Sequence, residues 1–193
     1  MRELMIPALI TVRSASSRLP GKCFLPFGDM SVLEHVVRRA WHYGLDPIVC
    51  TTNDPVDETI VELATRCNVK YFRGPTVNKL LRWSLCCDHF GLSSFHSVDA
   101  DDPFFCGEEV HRSYTLLQTG FDMVEPSPSS SAGGATVGYS LTADVVKRAS
   151  DGTADDLDTE MMWSYVDRLP RINKTILNDP VDHIIRARMT LDY

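Results

Sequence analysis

The stretch that most limits how this chain can fold lies near its start, where an apolar run empties into a basic loop. Residues Ile6 to Val12 (I-P-A-L-I-T-V) are short, uncharged and rich in β-branched side chains, the pattern of a buried strand. The next ten residues, Arg13-Ser14-Ala15-Ser16-Ser17-Arg18-Leu19-Pro20-Gly21-Lys22, carry three cations and three hydroxyls and close on a Pro-Gly turn. From Ser31 the period changes, and Val32, Leu33, Val36, Val37 and Ala40 fall on one face of a helix. Strand, basic loop and helix form the opening unit of an open α/β sheet. Such sheets bind ligands outside the carboxyl ends of their strands, where this loop would lie.

The loop's chemistry suits a polyanion. Ser14, Ser16 and Ser17 add hydroxyl donors to the backbone N–H groups. Arg13 and Arg18 can grip phosphate oxygens bidentately, and Lys22 supplies a mobile point charge. A nucleoside triphosphate fits that set. The G-x-x-x-x-G-K-[ST] loop is absent, because Cys23 follows Lys22, and no G-x-G-x-x-G occurs. A solvated basic loop without a ligand is the alternative that charge alone leaves open.

Strand and helix patterns then alternate, which predicts a mostly parallel sheet. Asp46 to Thr52 is a strand, Val56 to Cys67 a helix with Ile60, Leu63 and Ala64 inward, and Val69 to Phe72 a short edge strand. A helix over Leu80 to Phe90, a strand over Ser94 to Val98, a helix over Gly107 to Thr119 and a strand over Phe121 to Val124 follow. Pro126 to Gly134 is so rich in Ser, Pro and Gly that it predicts a mobile surface connection, with a flap over a substrate as the functional alternative. A strand over Ala135 to Leu141 and helices over Ala143 to Ala149 and Asp158 to Asp167 complete the pattern. The 193 residues suit one domain, and 44% hydrophobic content suits a globular one.

A net charge of −7 argues against non-specific nucleic-acid binding, so the positive charge is local to the loop. The sequence has no apolar run of membrane-spanning length, and Met1-Arg2-Glu3-Leu4 lacks the core of a secretory leader, so a cytoplasmic protein is expected. The six cysteines form no C-x-x-C pair and the histidines no H-x₃-H spacing. Reduced thiols rather than zinc or disulfides are therefore expected.

After the strand ending at Val98 come Asp99, Asp101 and Asp102. Three carboxylates in four residues repel one another unless a cation or helix N-terminus neutralises them. A divalent metal site is one reading, and a turn with an N-capping aspartate is the other.

The loop from Val12 to Lys22, V-R-x-x-S-S-R-L-P-G-K, resembles the signature of the cytidylyltransferases that make CMP-activated acidic sugars. The spore-coat polysaccharide type is the nearest, with the CMP-Kdo and CMP-neuraminate synthetases further off. The resemblance implies a three-layer α/β/α, Rossmann-like nucleotide-diphospho-sugar transferase fold with a mostly parallel sheet. It implies that Val12, Arg13, Ser14, Ser17, Arg18 and Lys22 wrap CTP. Asp99 to Phe104 aligns with x-G-D-x-P-L/I, which places Asp101 on the metal-binding aspartate, and Arg188-Met189-Thr190-Leu191-Asp192 resembles R-x-T-L-D, which places Asp192 on the second. Thr51-Thr52-Asn53-Asp54 and Phe72-Arg73-Gly74 resemble the family's A-T-S/D-D and F-R-G stretches, so Thr52 and Arg73 are further candidate nucleotide contacts. Asn78 and Lys79 stand where an acidic and an apolar residue are usual, and read as surface variation. The family's Pro-x-Gly-x-x-x-Glu pattern is missing from the sugar half, which leaves the sugar's identity open. Members continue beyond T-L-D into a final helix, so the expectation is one domain over 1–193 without that helix.

The implied activity is Mg²⁺-dependent cytidylyl transfer in polysaccharide biosynthesis. A sugar hydroxyl attacks the α-phosphate of CTP and pyrophosphate leaves, with Arg13, Lys22 and Asp101 as the catalytic set. CTP and a small acidic sugar are the implied partners, neither nucleic acid nor membrane is expected, and the resemblance allows a homodimer. Two rivals remain: a glycosyltransferase of GT-A type using Asp99-Ala100-Asp101 as a D-x-D motif, and a non-catalytic nucleotide-binding domain.

Overall fold

The computed structural model describes residues 5–15, 19–180 and 187–191. Strand β1 (Ile6–Thr11) leads through the basic loop to a short antiparallel hairpin, β2 (Pro26–Phe27) and β3 (Met30–Ser31), and into helix α1 (Val32–His42). The Ser31 Oγ accepts the Glu34 N–H at 3.2 Å, capping the helix at the residue where the periodicity begins. Val32, Leu33, Val36, Val37 and Ala40 are the buried face of α1. Next come β4 (Leu45–Thr52), α2 (Glu58–Arg66), β5 (Lys70–Gly74), α3 (Lys79–Phe90), β6 (Ser94–Asp99) and α4 (Gly107–Leu117). The last part holds β7 (Met123–Glu125), β8 (Ser140–Thr142), α5 (Ala143–Ser150), α6 (Trp163–Val166) and β9 (Lys174–Ile176).

One seven-stranded sheet runs in the order β5-β4-β1-β6-β8-β7-β9. All its pairings are parallel except those of β8, which is antiparallel to both neighbours. Side chains alternate across β1: Ala8 and Ile10 pack with α1, α2 and α4, whereas Leu9 packs with α3, α5 and α6. The result is the three-layer α/β/α architecture that the resemblance implied.

The topology determines where a ligand can sit. From β1 the chain moves outward through β4 to β5, with α1 and α2 on one face. Helix α3, on the opposite face, then returns it to β6 on the other side of β1. Connections therefore leave β1 and β6 in opposite directions, and the crevice between their carboxyl ends is the switch point of the sheet. Thr11 pairs with Asp99 there, and the Ala100 N–H donates to the Thr11 carbonyl at 3.1 Å.

Three expectations need correction. Pro126 to Gly134 is a packed element: Ser127 and Ser130 are buried, and Ser130–Gly134 makes a π-type turn. The Ser130 Oγ donates to the Val137 carbonyl at 2.8 Å and accepts the Thr136 and Val137 N–H groups at 3.1 Å each. The serines here satisfy backbone groups that no ladder reaches, so a polar composition builds structure. The strand expected over Ala135 to Leu141 shrinks to Ser140–Thr142. Gly138 instead crosses so close to β6 that a Cβ would stand 2.0 Å from the Ser97 carbonyl oxygen. The helix expected over Asp158 to Asp167 is only Trp163–Val166. Asp158 Oδ1 accepts the Glu160 N–H at 2.9 Å, and that local turn competes with the helix.

Candidate active site

The basic loop and the acidic cluster meet at the switch point. The Val12 N–H donates to the Cys50 carbonyl at 3.2 Å, extending the β1–β4 ladder by one residue and delivering Arg13 to the rim. Gly21 has φ 68°, a left-handed conformation that favours glycine, and its N–H donates to the Ser14 carbonyl at 3.0 Å. That bond folds the loop back and brings Lys22 over the end of β6. The Lys22 ammonium donates to the Asp101 carboxylate, and the two side chains are only 16% and 17% exposed. Residues separated by 79 positions thus form one ion pair. It sits in a cleft of about 550 Å³ that Val12, Arg13, Asp99 and Asp102 also line. A second depression, about 470 Å³, lies on α4 around His111 and Thr115, away from these residues.

Asp57 underpins the loop. It is 1% exposed, and one carboxylate oxygen accepts both the Ser14 N–H (2.8 Å) and the Ser14 Oγ (2.5 Å). The other oxygen accepts the buried Thr52 hydroxyl. The sequence suggested only a helix-dipole role for Asp57, yet its side chain makes no cap bond to α2. It ties the start of the basic loop to the end of β4.

A second charge network crosses the cleft. Glu160 lies 3.8 Å from the Arg13 guanidinium and 3.5 Å from the Lys79 ammonium, and Lys79 is also 3.5 Å from Asp99. Lys79 is 6% exposed, with its ammonium 5.0 Å from the centre of the Trp83 ring. Burial pulls its pKa down, but Asp99 and Glu160 outweigh that pull and hold it above the ordinary lysine value. Asn78 is fully buried: its amide donates to the Thr153 hydroxyl and the Ala154 carbonyl, both at 2.9 Å, and its oxygen accepts the Leu81 N–H. The surface-variation reading of Asn78 and Lys79 is therefore wrong. A lysine at an apolar helix position was the signal that marked it.

The remaining candidates separate. Thr52 and Arg73 do not line the cleft. Thr52 points at Asp57, and Arg73 donates to the Thr52 and Asp54 carbonyls at 3.0 Å each and to Glu58 at 2.5 Å, clamping the turn that follows β4. Ser17, Arg18 and Asp192 lie outside the described residues. The segment leading to Asp192 is nevertheless placed: the Met189 N–H donates to the Gly133 carbonyl at 3.0 Å and the Leu191 N–H to the Asp101 carbonyl at 2.8 Å. The late chain thus runs from the 130–134 turn to the acidic cluster.

The donors suit a hard divalent cation. Asp99, Asp101 and Asp102 offer carboxylate oxygens, the ligands Mg²⁺ takes together with phosphate and water. Asp101 already holds a cation, the Lys22 ammonium. Among the described residues no group of three or more metal-ligating side chains forms, so phosphate and solvent oxygens would complete the shell.

A family model described as Cytidylyltransferase matches residues 7–160. The chain is 28% identical over 203 residues to the uncharacterized protein MJ1063 of Methanocaldococcus jannaschii, covering 98% of this chain and 79% of that protein. A cytidylyltransferase structure from Leptospira borgpetersenii superposes with a TM-score of 0.81 at 19% identity, covering 98% of this chain and 82% of that one. CMP:2-keto-3-deoxy-manno-octonic acid synthetase complexed with CTP gives 0.65 at 16% identity, covering 90% and 89%. At these identities the structural likeness establishes the fold.

Proposed function

The chain belongs to the cytidylyltransferase family, and from that membership we propose that it activates an acidic sugar with CTP, giving a CMP-sugar and pyrophosphate. The observation that carries the reading is the meeting of Lys22 with Asp101 at the switch point. A triphosphate needs concentrated positive charge, and a reaction that expels pyrophosphate needs it on the leaving side. Arg13 and Lys22 supply that charge and hold the β- and γ-phosphates, and the family resemblance makes Arg18 of the same loop a further cation for them. Lys22 is pre-aimed by its carboxylate partner, so it reorganises little when the nucleotide arrives. Ser14, fixed by Asp57, presents the start of the loop in one conformation.

Asp101 and Asp192 would hold Mg²⁺, which when bound supplies positive charge to the phosphate oxygens. The Leu191 bond to Asp101 supports that pairing, since Asp192 is the next residue in the chain. The acceptor sugar would enter from the side of the 130–134 turn.

Thermal unfolding with CTP, UTP, GTP and ATP, each with and without Mg²⁺, tests the reading. At a hundred times its Kd a ligand adds about 2.7 kcal/mol, or roughly 5–11 °C for a chain of this size. CTP with Mg²⁺ is expected to give that shift and the other nucleotides much less. Stabilisation by a UDP-sugar but not by CTP would point to the D-x-D glycosyltransferase reading. A CTP shift without pyrophosphate release from any acidic sugar would leave a nucleotide-binding domain.

A further inference from the structure

We propose that Arg188 and Trp163 form the acceptor half of the cleft, Arg188 taking the carboxylate of a sugar acid and Trp163 the face of its ring; this rests on the nucleotidyl-transfer reading above. The charges around the cleft are mostly matched within the protein. Lys22 pairs with Asp101, Arg13 with Glu160, and Lys79 with Asp99 and Glu160. Arg82, buried, donates to the Pro75 and Thr76 carbonyls. Arg188 lines the same cleft, is exposed, and has no ion pair or hydrogen bond from its guanidinium to any described residue. A guanidinium aimed into a cleft without a carboxylate of its own is a site for an anion, and its planar fork matches a carboxylate bidentately.

The arginine is held in place by its backbone. The Met189 and Leu191 bonds to Gly133 and Asp101 pin the chain just after it. Its stem runs along the 130–134 turn, where a Cβ on Gly133 would stand 3.5 Å from Arg188 Cγ. Trp163 lines the cleft as the first residue of α6 and is 41% exposed. Met162 and Val166, both buried, fix that short helix to the core. An exposed, rigidly mounted indole offers an apolar face with a polar edge, which suits the C–H face of a sugar ring. An arginine with an anchored backbone and a free guanidinium, and an indole on a core-docked helix, together favour a ring that carries an acid group, and the Leu191 bond to the Asp101 carbonyl sets the arginine's segment at the Asp101 end of the nucleotide half.

Calorimetry tests the assignment without turnover. The protein is saturated with α,β-methylene CTP and Mg²⁺ and titrated with 2-keto-3-deoxy-manno-octonic acid, N-acetylneuraminic acid and their methyl esters. The wild type is expected to prefer the acids over the esters. Arg188→Ala should lose acid affinity on the order of 30-fold, the scale of a charged hydrogen-bonded contact, and should lose the preference over the ester. Arg188→Lys should recover part of it. Trp163→Ala should weaken acid and ester alike, and affinity for the CTP analogue should stay within threefold in all variants. Acid affinity unchanged in Arg188→Ala would overturn the proposal. So would a loss confined to the CTP analogue, which would assign the guanidinium to the triphosphate, or a wild type that binds neither acid. Acid binding that depends on Arg188, with no pyrophosphate released from CTP, would leave this site standing and overturn the transfer reaction instead.

Discussion

Replacing Asp57 with alanine should both destabilise the protein and loosen the basic loop. The carboxylate is buried and satisfies three donors: the Ser14 N–H, the Ser14 hydroxyl and the Thr52 hydroxyl. A buried donor left without a partner costs about 1–3 kcal/mol. Thr52 is fully buried, so its hydroxyl carries the middle to upper part of that range. Ser14 is only partly buried, and water can replace the carboxylate for its two donors, which puts each near the bottom of the range. The sum is about 4–5 kcal/mol, or roughly 8–20 °C in Tm for a chain of this length. Loss of a helix cap cannot account for it, because the Asp57 side chain makes no cap bond to α2. Urea unfolding at constant m-value measures the stability term. The KM for CTP, with kcat falling less, measures the loop term. Asp57→Asn keeps an acceptor oxygen but turns an NH₂ toward a donor, so it should lose about half as much. An Asp57→Ala protein within about 0.5 kcal/mol of wild type and with unchanged KM would refute the anchoring role.

Lys22→Met should lower kcat on the order of a hundredfold, the scale of losing one transition-state stabiliser, and Mg²⁺ should raise its Tm more than the wild type's, because Asp101 loses its ammonium partner. His96 is fully buried with Nδ1 2.8 Å from the Ser140 Oγ, and burial lowers its pKa from 6.5 to about 3. Between those values the unfolded chain binds the proton and the folded chain does not, so stability present at neutral pH is lost as pH falls below 6.5, about 2 kcal/mol of it by pH 5. Urea unfolding at pH 7 and pH 5 should show a shallower pH slope in His96→Gln than in the wild type. Gly138→Ala should cost about 3 kcal/mol, since its Cβ would meet a backbone oxygen at 2.0 Å that cannot yield; the unfolding midpoint reads it.

Much of the fold was legible because short-range pattern and long-range burial agree in this chain. The 3.6-residue apolar repeat after Ser31 became the buried face of α1, and the β-branched run at Ile6 became the central strand. The alternation of strands and helices gave the parallel sheet, and the loop and the aspartates carried the family likeness. What was not legible depends on tertiary partners. Ser130 looks like linker composition until Val137 comes back to it, and Asp57 looks like a dipole charge until Ser14 and Thr52 surround it. Lys79 breaks the apolar pattern of α3, a visible signal, but only Asp99 and Glu160 show why it is tolerated. Arg188 and Trp163 share the cleft through the path of the late chain, which no local spacing encodes. Strand β9 pairs with β7 across some fifty residues and was missed for the same reason.

The most direct measurement is pyrophosphate release from CTP, Mg²⁺ and an acidic sugar by the wild type and by Asp101→Ala, at saturating substrates. Wild-type turnover that falls on the order of a hundredfold or more in the variant, with the protein still folded, is the predicted result. Equal turnover by both proteins would contradict it, since the carboxylate that meets Lys22 would then take no part in the reaction.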